Sequence, residues 1–190
     1  MRTASFNYVF WIFLLVYHQV NANTGAKSDT VIITDNTFKV KGLNDYLSIF
    51  STPEKTNIER LKHQEKYEKN KTRYNDYIWV FFKIQNISNQ QKNLILELNN
   101  PLIDKYELYT FNDSTQKLIG KGGDHYKFHK RKILNRRFLE ELSIAPHTKY
   151  KIAIYLEDLE RDTSIPLALW DKDAFFKNEV RQNTLYNVYF

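Results

Sequence analysis

Cysteine is absent from all 190 residues, which removes disulfides, thiolate metal centres and cysteine nucleophiles together. A chain of this length can bury enough surface to hold without such staples. Glycine (5) and proline (4) are scarce, and there is no low-complexity tract and no internal repeat. The catalytic signatures G-x-S-x-G and H-E-x-x-H are missing. Gly122-Gly123 lacks the Gly-Lys-Ser/Thr ending and the preceding βα unit of a phosphate loop. No enzyme and no cofactor are expected, although a glycosidase-type carboxylate pair would leave no local motif. No apolar run approaches the ~20 residues of a membrane-spanning helix.

Aromatic residues are abundant: 13 Tyr and 13 Phe within a 15% aromatic fraction. They suit half-buried pleated surfaces and favour a β protein. The net charge is +6, with Lys spread along the chain, which reads as a solvated surface. At the N-terminus, Arg2 precedes ten unbroken apolar residues, Tyr8 to Tyr17, and then Val20-Asn21-Ala22. That order and those lengths are those of a secretory signal peptide, residues 1–22, cleaved after Ala22. Residues 23–29 form a polar, flexible lead. The expected location is therefore exported, facing the periplasm where the cell has one.

The central signal is YIWVFFKIQN, residues 77–86. Ile78 to Phe82 leave no polar face, which predicts a strand buried on both sides. LILEL (94–98) places Leu94, Leu96 and Leu98 on one face and Ile95 and Glu97 on the other. YELYTF (106–111) follows a turn at Pro101. These three segments are expected to form an antiparallel sheet joined by hairpin-like connections. Further strands are expected at 30–35, within 113–124, at 138–142, at 150–156 and at 164–170, where Pro166 implies an edge or a bulge, and YLSIF (46–50) reads as another strand or a short helical turn closed by Pro53. A helical turn is expected near Ile58 and Leu61 in the charged run 54–76, and 157–163 is an acidic loop. Eight or nine short strands at even spacing predict an all-β fold, a jelly-roll β-sandwich. The sandwich is assigned residues 30–178. Residues 179–190 turn apolar again, either as a frayed tail or as the entrance to a membrane helix.

Taken in order, these segments resemble a known family. YIWVFFKIQN is similar to its tyrosine-tryptophan strand. LILELNNPLIDKYELY matches at Leu96, Glu97, Pro101, Leu102, Asp104, Leu108 and Tyr109. Gly123-Asp124, Phe128, Arg131, Ile133, Arg136 and Phe138, then Ile144, Pro146, PLALW (166–170) and Phe175, complete the match. The chain resembles the second extracellular domain type of bacterial seven-transmembrane receptors with diverse intracellular signalling modules (7TM-DISM). The resemblance implies a sandwich like that of carbohydrate-binding modules, sensing of a small and sugar-like or otherwise polar ligand, and a membrane helix starting soon after residue 180. The family usually carries Arg where this chain has Phe81 and Tyr155. A freestanding secreted carbohydrate-binding module is the alternative.

The candidate ligand-binding residues are Asp104, Asp124, Tyr126, Arg131 and Arg136. Asp104 offers a carboxylate to a sugar hydroxyl or calcium, or else caps its own turn. Arg131 and Arg136 offer bidentate contacts to a polar ligand, or else pair internally with Glu97 or Asp124. Tyr126 offers a ring for stacking. Trp79, Tyr109 and Trp170 are ring candidates too, with Trp79 assigned to the core. His125 and His129 are not spaced to converge on a metal outside a helix, and no metal is expected. The basic run 127–137 with its aromatics would suit single-stranded nucleic acid, but export argues against that partner.

Overall fold

The computed structural model describes residues 30–36, 39–52, 77–111, 115–157 and 165–189. The signal peptide, the lead at 23–29, the helical turn near Ile58 and the acidic loop beyond Glu157 lie outside them. Ten strands are present among the described residues, against the eight or nine expected: β1 (Thr30–Ile33), β2 (Val40–Gly42), β3 (Ser48–Thr52), β4 (Tyr77–Asn86), β5 (Lys92–Leu98), β6 (Lys105–Phe111), β7 (Gln116–Gly122), β8 (Phe138–Ile144), β9 (Lys149–Glu157) and β10 (Leu167–Asp171). A single 3-10 turn covers Phe128–Lys130, and helix α1 covers Lys172–Tyr189.

One sheet runs β1-β4-β9-β6-β7, with β3 also paired to β4, and the other runs β2-β10-β5-β8. β1 and β3 share one edge of β4: β1 lies parallel beside Lys83–Asn86 and β3 antiparallel beside Tyr77–Phe81. With those two set aside, the remaining eight strands follow the two-Greek-key order of a jelly roll. The all-β sandwich expectation holds.

The expected hairpins do not. β4 pairs with β9, β5 with β8 and β10, and β6 with β7 and β9. Consecutive strands in this stretch cross from one sheet to the other. Burial explains the pattern: each strand's inner face must meet a facing sheet, and crossing supplies one. Asn86 fixes the corner. Its buried Nδ2 donates to the carbonyls of Gln90 (2.8 Å), Ile144 (3.1 Å) and Ala145 (3.1 Å), tying the end of β4 to the turn after β8. Pro166 also departs from expectation. It precedes β10, which is an interior strand between β2 and β5, and its carbonyl accepts from Asn99 N at 3.1 Å.

Period-two alternation sorts the core into layers. Ile78, Val80 and Phe82 of β4, Leu94, Leu96 and Leu98 of β5, and Ile152, Ile154 and Leu156 of β9 fill the space between the sheets. Trp79 and Phe81 point the other way, into an aromatic cluster with Phe111, Ala153 and Tyr155. Ile95 and Leu139 lie on the outer face of the four-stranded sheet under Phe175 of α1. Asp171 starts that helix by accepting Ala174 N at 3.0 Å, an N-cap contact. The apolar tail expected from residue 179 thus continues a helix that begins at Lys172.

Candidate functional site

Strands β7 and β8 are edge strands of the two sheets, and Tyr126 and residues 130–133 lie beside both. A cavity of about 360 Å³ sits there, bounded by Tyr106 of β6, Leu118 to Gly122 of β7, Tyr126, the segment Lys130 to Ile133, and Phe138 to Glu140 of β8.

Its polar floor comes from an inward-facing acid. Along β8, Phe138, Glu140, Leu142 and Ile144 face the core, so the strand period drives Glu140 inside, where it is 6% exposed. Two glycines make room for it. A Cβ on Gly120 would sit 2.1 Å from the Glu140 carboxyl carbon, and one on Gly122 would sit 2.7 Å from the Tyr106 ring. The β6–β7 register shifts between Leu108 and Tyr109, leaving Ile119 as an extra residue on β7. The carbonyl of Ile119 accepts from Lys132 Nζ at 2.6 Å.

Tyr106 donates its hydroxyl to Glu140 Oε1 at 2.9 Å. Lys132 Nζ stands 3.7 Å from Oε2, which has no hydrogen-bond partner. Burial pushes the Glu140 pKa above the usual carboxylate range, and the Tyr106 hydrogen bond and the Lys132 charge offset only part of that rise. Burial, with Glu140 beside it, likewise raises the Tyr106 phenol. Arg131 lies with its guanidinium 4.5 Å from the Phe138 ring centre and 5.0 Å from that of Phe128. Nη1 donates to the carbonyl of Asn135 at 2.7 Å, whereas Nε is buried and unpartnered. Two buried atoms of residues lining the cavity, the acceptor Glu140 Oε2 and the donor Arg131 Nε, thus lack hydrogen-bond partners beside apolar and cationic side chains, an arrangement suited to orienting a small polar molecule.

Of the five expected ligand residues, Tyr126 and Arg131 line this cavity. Asp104 and Asp124 sit at adjacent turns: Asp124 N donates to Ile103 O (2.8 Å) and His125 N to Asp104 O (3.2 Å). The Asp104 carboxylate is 3.7 Å from His125 Nε2, and the turn cap assigned to it is made by Asn100, whose Oδ1 accepts Leu102 N at 3.0 Å. Gly123 permits this approach with φ +130°. Arg136 is exposed, and only its carbonyl reaches toward Arg131, at 3.4 Å. The ion pair to Glu97 belongs to its neighbour Arg137, at 2.9 Å. Arg137 also pairs with Glu179 of α1 and is 5.3 Å from the Phe175 ring centre, while Trp170 Nε1 donates to Glu97. Burial works against the charged form of Arg137, but hydrogen bonds to Glu179 and Glu97 outweigh it and hold its pKa above the ordinary value.

Glu140, Lys132 and Tyr106 were missed among the site residues. The signal for Glu140 was its place in the Phe138, Leu142, Ile144 alternation, masked by Leu139, which is also buried but on the outer face. Phe81 and Tyr155, the two departures named with the resemblance above, lie across the sheet from the cavity. They pack around Trp79, with ring centres 6.0 Å and 5.1 Å from it. Trp170 is likewise occupied, set edge-on to Phe175.

The 7TMR-DISM extracellular 2 family matches residues 44–171, from just before β3 to the end of β10. The chain belongs to that family. It is a sensor-type extracellular domain, a class associated with the membrane part of a receptor. The matched span holds the cavity and both edge strands but stops where α1 begins. No helix among the described residues is long and apolar enough to cross a membrane. Comparison with curated proteins returns no match.

Proposed function

We propose that this 7TMR-DISM extracellular 2 domain is the exported, ligand-sensing part of a 7TM-DISM signalling receptor. It binds a small polar ligand in the cavity between β7 and β8 and relays the event through α1 to a membrane segment. Residues 1–22 direct export, and residues 30–178 form the sensing unit together with the first turns of α1.

The observation that carries this reading is the double attachment of one short segment. Arg131 and Lys132 wall the cavity, while Asn135 and Arg137, a few residues on, grip α1: Asn135 Nδ2 donates to Glu179 and Arg137 pairs with it. A ligand that draws Arg131 toward itself pulls on the same segment that holds the helix. Coupling of this kind needs differential contacts in the bound and free states, and the unpartnered Nε of Arg131 can supply one.

The experiment is a thermal-shift screen of sugars, sugar acids, amino acids and divalent cations, followed by hydrogen exchange with the best stabiliser. The expected result is changed exchange at residues 126–137 and, together with them, at 172–182. A change confined to the cavity walls would overturn the relay.

A further inference from the structure

Four cations and one acid line the cavity: Lys121, Lys130, Arg131 and Lys132 against Glu140. The wall is therefore biased toward an anion. Within it, two buried atoms have no hydrogen-bond partner, Arg131 Nε and Glu140 Oε2. Buried polar groups of this kind are ordinarily satisfied, and an orphan pair on two residues that line one cavity points to a group that completes it. Arg131 Nε–H can only donate, so it calls for an acceptor. Glu140 Oε2 calls for a donor. Lys132 Nζ already stands 3.7 Å from that oxygen, so an ammonium there would meet a like charge, whereas a hydroxyl would not. The small space behind Glu140 is lined by Leu96, Leu98, Leu108 and Ile154, so the carboxyl is the last polar group before the apolar core and sets the depth of the site.

From this geometry we infer that the ligand is a small hydroxylated carboxylate, of sugar-acid type. Its carboxylate lies against Arg131 with Lys132 nearby, and one of its hydroxyls donates to Glu140 Oε2. At about 360 Å³ the cavity stands near the lower end of the ~300–1,000 Å³ usual for ligand sites, which suits one sugar-sized ring. Leu118, Ile133 and Phe138 would meet its apolar face. The inference rests on the sensor reading above and narrows the chemistry of the same cavity.

The test is NMR titration of the 15N-labelled chain with D-glucuronate, D-glucose, L-alanine and acetate. D-Glucuronate should move the amide signals of residues 118–122, 126–133 and 138–140. D-Glucose has the same ring without the carboxylate, acetate has the carboxylate without hydroxyls, and both should bind at least about tenfold more weakly, the loss of one charge-assisted hydrogen bond. Arg131→Lys keeps the charge but not the Nε–H and should weaken D-glucuronate by about tenfold. Lys132→Met offers a second variant that leaves the Phe138 contact intact and should weaken it as well. Arg136→Ala, outside the cavity, should change nothing. D-Glucose binding as tightly as D-glucuronate in this cavity would overturn the anionic class and leave the sensor reading standing. L-Alanine, which has the carboxylate and an ammonium but no hydroxyl, binding best would replace the hydroxyl donor by an ammonium and overturn the inference at Glu140. Absence of any shift at these residues with all four probes overturns it too, while the sensor reading is decided separately by the exchange of α1.

Discussion

Glu140 is where local chemistry and burial conflict most openly. Strand alternation places a carboxyl in the core, and Gly120 and Gly122 clear the volume it occupies. Its folded pKa is raised above the unfolded value by burial. The stability linked to it is therefore fully present below the ordinary carboxylate pKa and is lost as pH rises through the raised one. Well above the ordinary carboxylate pKa the unfolded chain has released a proton that the buried site favours keeping, so at pH 8 Glu140→Gln should melt about 2–4 °C higher than the parent, the effect of ~1 kcal/mol in a chain this size. As pH falls into the carboxylate range, the two proteins should converge, because the parent then carries a neutral acid. Melting curves between pH 4 and pH 8 check this, and an unchanged gap across that range would mean that Glu140 is not the titrating group. Glutamine keeps an acceptor for the Tyr106 hydroxyl, so the comparison isolates the charge.

The C-terminal helix shows what joins one element to its neighbours. Its N-cap is Asp171, its buried foot is Phe175, and its lateral tie is Glu179 to Arg137 and Asn135. Arg137 is the hinge pin: it faces Glu97 of β5 on one side and Glu179 of α1 on the other. The two acids differ in burial, since the Glu97 side chain is 6% exposed and the Glu179 side chain 19%. Arg137→Ala strands the more buried acid and should cost ~3 kcal/mol, the lower end for breaking a buried pair. Glu179→Ala leaves the Arg137–Glu97 pair in place and should cost about 1 kcal/mol, while speeding exchange of α1 amides. Guanidinium denaturation of the two variants separates these outcomes, and equal losses would place the weight on the helix contact instead. The segment 135–137 was legible only as a basic run, because nothing local tells which of Arg131, Arg136 and Arg137 turns inward. Backbone direction after the 3-10 turn makes that choice.

The two sheets share a single interior, and each carries a tryptophan on its outer side, Trp79 on one and Trp170 on the other. Interlaced strand order leaves no boundary along which one sheet can separate, so the domain should unfold as a unit. In a Trp11→Phe background, Trp79→Phe and Trp170→Phe leave one reporter each. For each variant, fluorescence and far-UV circular dichroism should give the same guanidinium midpoint. Separate midpoints within either variant would show that the layers melt independently. Much of this architecture could be read from residues alone. The all-apolar run Ile78 to Phe82 specified a strand buried on both faces, and the alternation of Leu94, Leu96 and Leu98 specified which face of that segment turns inward, because side-chain direction follows backbone period locally. Strand neighbours could not be read that way. Pairing β4 with β9, and bringing Glu140, Arg131, Lys132 and Tyr106 around one cavity, depends on contacts between residues far apart in the chain, and those are settled by how two whole sheets pack.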